Sequence, residues 1–130
     1  MSTLGCTKKE DPAIGTGGYT LDGRNVTCQA TAATETSQKV VEYLSITLVT
    51  SPQPATGPEK LVLTFNRGKG FGSRTYAPMQ LFYTSPQATT TNNFSATLTE
   101  TSAGVFSGTF FVINPFSSAI TNGVFTEARL

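Results

Sequence analysis

Three of the chain's nine cationic side chains, Arg67, Lys69 and Arg74, fall in one stretch, FNRGKGFGSRTY (65–76), around Phe71 and beside Tyr76. Glycines mixed with cations can cradle a phosphate. However, GKGFG lacks the G-x-x-x-x-G-K-[ST] spacing, and no helix pattern follows to present its N-terminus. The residue types offer instead a flexible, cationic, aromatic-tipped loop suited to an anionic glycan or an acidic partner. They serve equally in a solvated hairpin loop, where glycine permits the turn and charge keeps the neighbouring strand edge soluble.

Elsewhere the material for catalysis is sparse. The chain has no histidine, which removes the commonest general base, the Ser-His-Asp and Cys-His arrangements and most transition-metal sites. Its eight carboxylates are Glu10, Asp11, Asp22, Glu35, Glu42, Glu59, Glu100 and Glu127, and only the first two are adjacent. No spacing among them favours a facing glycosidase pair or a calcium loop. The chain is therefore expected to be non-catalytic, with no cofactor and no metal. A net charge of +1 with 13% charged residues argues against nucleic acid, which calls for a clustered basic surplus.

The elements that would position these residues are strands. LSITLVT sets Leu44, Ile46 and Leu48 against Ser45 and Thr47, and KLVLTF sets Leu61, Leu63 and Phe65 against Val62 and Thr64. That is a period of 2 with one buried face. FSATLT repeats the pattern, and VFSGTFFVI carries apolar residues on both faces, as a strand covered on both sides would. ETSQKVVEYL admits a short helix, but its Val-Val pair and its run into SITLVT favour strand. Strands are expected near 18–22, 25–32, 39–50, 60–67, 76–84, 94–101, 104–113 and 123–130. Asp22-Gly23, Ala103-Gly104 and Asn122-Gly123 read as tight hairpin turns. Two longer loops, TSPQPATGPE and TSPQATTTNN, share a Ser-Pro-Gln start that edge loops reach easily by convergence. The aromatic residues Tyr76, Phe82 and Tyr83 fit a core better than a sugar-stacking face.

At 130 residues the chain is expected to form one domain, residues 18–130, behind a polar tether, residues 1–17. The expected fold is all-β: a single antiparallel β-sandwich of about eight strands, with a closed barrel as the alternative. The Thr-rich, charge-poor composition suits an extracytoplasmic β-domain. Of the two cysteines, Cys28 alternates with Val26 and reads as a small buried hydrophobe. Cys6 is open to two readings, a lipid anchor or a disulfide with Cys28.

Leu4-Gly5-Cys6 resembles a lipobox, although Thr3 stands where Leu is usual. Lys9-Glu10-Asp11 resembles the Lys-acidic-acidic tether that serves as a surface-export signal in Bacteroidota. YTLDGRNVT, GVFSGTF and ITNGVFTEARL resemble segments of small surface lipoproteins of those bacteria. The resemblance implies a β-sandwich-like body, acylation at Cys6, export signalled by Lys9, Glu10 and Asp11, and display on the outer membrane. The expected function is a lipid-anchored binding module for a glycan or another envelope protein, acting through Arg67, Lys69, Phe71, Arg74 and Tyr76. Two alternatives are an assembly subunit that docks copies of itself by β-strand addition and a barrel that holds a small apolar ligand.

Overall fold

The computed structural model describes residues 14–37, 41–68, 75–113 and 119–130. They form nine strands: β1 (Gly15–Leu21), β2 (Arg24–Ser37), β3 (Val41–Thr50), β4 (Lys60–Gly68), β5 (Ala77–Thr84), β6 (Thr89–Asn92), β7 (Phe94–Ser102), β8 (Val105–Val112) and β9 (Ile120–Arg129). All belong to one sheet, in the order β6-β5-β4-β3-β2-β1-β9-β8-β7. Every neighbouring pair is antiparallel, and a single parallel bridge joins Thr31 to Arg129. The all-β antiparallel expectation holds, as one sheet curled into a half-barrel.

The alternation seen in sequence decides which face lies inside. Leu44, Ile46, Leu48, Leu61, Leu63 and Leu81 are fully buried, while the intervening Ser45, Thr47 and Thr64 reach the convex surface. Each fully buried aliphatic side chain contributes about 1.5–3 kcal/mol relative to exposure. Ring contacts cross the interior: Phe65 on β4 meets Phe94 on β7 edge-on at 5.4 Å, and Tyr19 on β1 meets Phe110 on β8 at 6.3 Å.

Bulges make the curl. Asn122 and Glu127 adopt φ of 53° and 55° inside β9, where the register against β1 and β8 slips by one residue. An extra residue on one strand sharpens its twist and bends it. Asn122-Gly123 therefore makes a bulge and not the hairpin its sequence suggests. Gly123 is required there, since a Cβ would stand 2.5 Å from the Phe110 ring. Asp22-Gly23 does form the expected turn, with φ of 49° and 86° between Leu21 and Arg24. Asp22 pins that hairpin to the start of β9: its amide donates to the Ala119 carbonyl at 2.9 Å, and its carboxylate accepts from the Ala119 amide at 2.7 Å.

Two further expectations need correcting. Thr89–Asn92, read as loop, forms β6 against the end of β5, because an edge strand with one partner needs no apolar face. β6 and β7 flank Asn93, so one bent segment pairs first with β5 and then with β8. β8 is not covered on both sides: Phe106, Phe110 and Val112 are buried, but Phe111 and Ile113 are 50% and 42% exposed. Of the segment weighed between helix and strand, residues 35–37 close β2 and residues 41–44 open β3, with Glu35 opposite Tyr43.

Candidate functional site

Four strand ends meet at one rim of the half-barrel, and each supplies a polar residue in the inward phase of its own alternation. Arg24 opens β2 in phase with Val26, Cys28 and Ala30. Thr50 closes β3 in phase with Ile46 and Leu48. Glu59 precedes β4 in phase with Leu61, Leu63 and Phe65, and Tyr83 ends β5 in phase with Leu81. The pleat sends all four toward one point.

Glu59 is the centre. Only 2% of its side chain is exposed. Thr50 Oγ1 donates to Oε1 at 2.9 Å. Arg24 Nη2 donates to Oε2 at 2.6 Å, and the Tyr83 hydroxyl donates to the same oxygen. Burial alone would raise the carboxyl's pKa, but the hydrogen bonds from Arg24, Tyr83 and Thr50, with the nearby guanidinium charge, outweigh it and hold the pKa below its ordinary value. Tyr83 is raised, first by burial and then by its bond to Glu59. Cys28, opposite Thr50 across β2–β3, carries a free buried thiol whose pKa burial pushes up to about 11. Tyr19 Oη is buried nearby with no hydrogen-bond partner.

The two Ser-Pro-Gln loops form the walls. In the first, Gln53 staples the chain: its side-chain amide donates to the Thr50 carbonyl and, at 3.3 Å, to that of Glu59, while its oxygen accepts from the Glu59 amide at 3.0 Å. In the second, Ser85 and Ala88 exchange backbone hydrogen bonds of 2.8 and 3.3 Å, closing a tight turn. Between them lies a cleft of about 340 Å³ lined by Arg24, Pro54, Thr56, Glu59, Tyr83, Ser85, Pro86 and Gln87. Arg24 is 53% exposed there. The arrangement is a cation fixed at the mouth by a carboxylate behind it. A carboxylate with a lowered pKa and three donors is a weak base. No metal-binding cluster of His, Cys, Asp or Glu occurs among the described residues.

The residues singled out from sequence are placed differently. Cys6, Lys9, Glu10, Asp11, Lys69, Phe71 and Arg74 lie outside the described residues. Arg67 is on β4 itself, directly across from Glu42 on β3, with Nη2 2.7 Å and Nε 2.8 Å from Glu42 Oε1. Its guanidinium stacks 4.3 Å above the Tyr76 ring. Tyr76 is buried, edge-on to Phe106 at 6.3 Å. Burial and a hydrogen bond to Glu42 raise its hydroxyl to about 12. Arg67 and Tyr76, with Thr75, Leu98, Glu100 and Phe106, line a smaller cavity of about 130 Å³ at the opposite rim from Glu59. Of the aromatic trio, Tyr76 and Tyr83 join the core, and Phe82 is 36% exposed on the convex face.

The Arg24–Glu59 cleft was not among the sequence expectations. A signal for it existed, namely a charged or hydroxyl residue at the inward phase where a strand begins or ends. The partners could not be read off, because Arg24 opens β2 and Glu59 precedes β4, with β3 between them. No family model matches the chain, and neither the curated proteins nor the solved structures include a match.

Proposed function

We propose that the protein is a non-catalytic recognition module of the bacterial cell surface, anchored by lipid at Cys6, that binds a glycan at the Arg24–Glu59 cleft. The observation that carries this reading is the way Glu59 is spent. Its oxygens take three donors, and its charge holds a half-exposed guanidinium at the mouth of a polar cleft walled by two loops. That suits binding, where a preorganised donor loses little freedom on contact, better than turnover, where a base must be free to take a proton. The cleft volume falls at the small end of the range of about 300–1,000 Å³ for ligand pockets.

The test is affinity electrophoresis through gels containing bacterial surface polysaccharides. Retardation of the wild-type protein, abolished by Thr56→Trp, is expected. Thr56 is exposed and outside the Glu59 network, so the bulky ring fills the cleft without disturbing the fold. Retardation unchanged by Thr56→Trp would move the site elsewhere. The anchor is tested by the intact mass of protein recovered from the envelope: a chain beginning at Cys6 and enlarged by acyl groups supports it, and an unmodified chain retaining Met1 refutes it.

A second reading, docking by β-strand addition, draws on β7. It ends the sheet, pairs only with β8 among the described residues, and contains neither Pro nor Lys. Concentration-dependent assembly abolished by Thr99→Pro would support it.

A further inference from the structure

We infer that the cleft reads a carboxylate on its sugar ligand, bound by the open edge of Arg24; this rests on the glycan reading above. Arg24 commits only Nη2, to Glu59, and its remaining N–H groups have no partner among the described residues. Arg24 therefore presents unused donors on a side chain that is 53% exposed yet held from behind. A guanidinium fork matches a carboxylate in two parallel hydrogen bonds, and such charge-assisted bonds are about twice as strong as neutral ones.

The rest of the wall argues the same way. Neutral sugars are commonly gripped by stacking on an aromatic face, but the only aromatic ring in the lining, Tyr83, is 5% exposed and turned onto Glu59. Pro54 and Pro86 supply apolar contact without a π-face. Thr56, Ser85 and Gln87 supply hydrogen-bonding groups that orient hydroxyls. The single acid in the lining is Glu59, buried behind the guanidinium and neutralised by it, so no exposed carboxylate of the cleft repels an anion. Glu59 thus acts as a positioning residue, and discrimination falls to the charge of Arg24.

Four probes separate the elements of this inference: glucuronate, glucose, glucose 6-sulfate and acetate, each titrated into the isotopically labelled protein with amide shifts followed by NMR. Glucuronate is expected to shift Thr56, Ser85 and Gln87 saturably, about tenfold or more tighter than glucose, with affinity falling as salt is raised. Arg24→Lys, which keeps the charge and loses the fork, is expected to weaken glucuronate severalfold and glucose by less. Equal binding of glucose and glucuronate would overturn the inference while leaving the glycan reading intact. Glucose 6-sulfate as tight as glucuronate would overturn carboxylate recognition, and acetate as tight would overturn the sugar's part in it. If no probe and no polysaccharide perturbs these residues, the glycan reading itself fails. The comparison of probes on the wild-type protein decides the matter even if the Arg24 variant folds poorly.

Discussion

Arg24, Glu59 and Tyr83 at one rim of the half-barrel, and Arg67, Glu42 and Tyr76 at the other, combine the same three side-chain types. At the first rim the acid is 2% exposed and the arginine 53%. At the second the acid is 18% exposed and the arginine 30%. The second trio is local: Glu42 and Arg67 are direct cross-strand partners, and the guanidinium lies flat on the tyrosine ring. Its cation covers core. The first trio reaches across β3, buries its acid and leaves its cation facing a cleft. The difference teaches that the placement of the acid, not the presence of the pair, decides whether an arginine lies on the core or is left facing a cleft.

The sharpest way to break this contrast is to remove the acids one at a time. Glu59→Ala leaves Arg24, Thr50 and Tyr83 without their acceptor. It is expected to cost about 2–4 kcal/mol, toward the low end for breaking a buried pair because Arg24 keeps contact with water. Glu42→Ala is expected to cost about 0.5–1 kcal/mol, as for a partly exposed pair. Urea unfolding measures both, and equal losses would erase the distinction drawn here. Next in size are the phenols. Tyr83→Phe removes a hydroxyl bonded to a buried carboxylate and should cost about 1.5–2 kcal/mol, against about 1 kcal/mol or less for Tyr76→Phe.

The pH dependence sharpens the comparison further. Because the folded-state pKa of Glu59 lies below its ordinary value, the folded state holds that proton less tightly than the unfolded chain. The corresponding stability is complete above the ordinary carboxyl range and is lost as pH falls through the folded value. The acid limb of a melting-temperature profile should therefore be shallower in Glu59→Gln than in wild type, measured by thermal unfolding across that range. A separate test at the first rim is Cys28, beside Thr50. With its thiol raised from 9.0 to about 11, it carries roughly a hundredfold less thiolate than an ordinary cysteine at neutral pH. Alkylation of the folded protein should lag the urea-unfolded protein by at least that factor. On the alkaline side the sign reverses: the unfolded thiol ionises first, so stability declines as pH rises from 9.0 through about 11.

How far the fold was legible follows from where the information lay. Leu44, Ile46 and Leu48, or Leu61, Leu63 and Phe65, announce their strands because a half-buried sheet imposes a period that local sequence must carry. β6 was illegible: TTTN makes four residues of edge ladder through backbone alone. The Asn122-Gly123 bulge was legible as positive φ but not as a bulge, because the same local conformation ends a hairpin or bends a strand, according to what pairs beside it. Phe111 and Ile113 misled for a related reason. An apolar side chain is compatible with a covered face without requiring one.

By itself the sequence determined the β class, the inward phase of the alternating strands β3 and β4, and the burial of Cys28. These depend on alternation, which is a property of neighbours along the chain. Only the tertiary structure decided that the sheet is single and curled, that two similar loops stand side by side to wall a cleft, and that Glu59 meets Arg24 across an intervening strand. Those depend on register and bulges, which set contacts between residues far apart in sequence and leave no periodic trace in it.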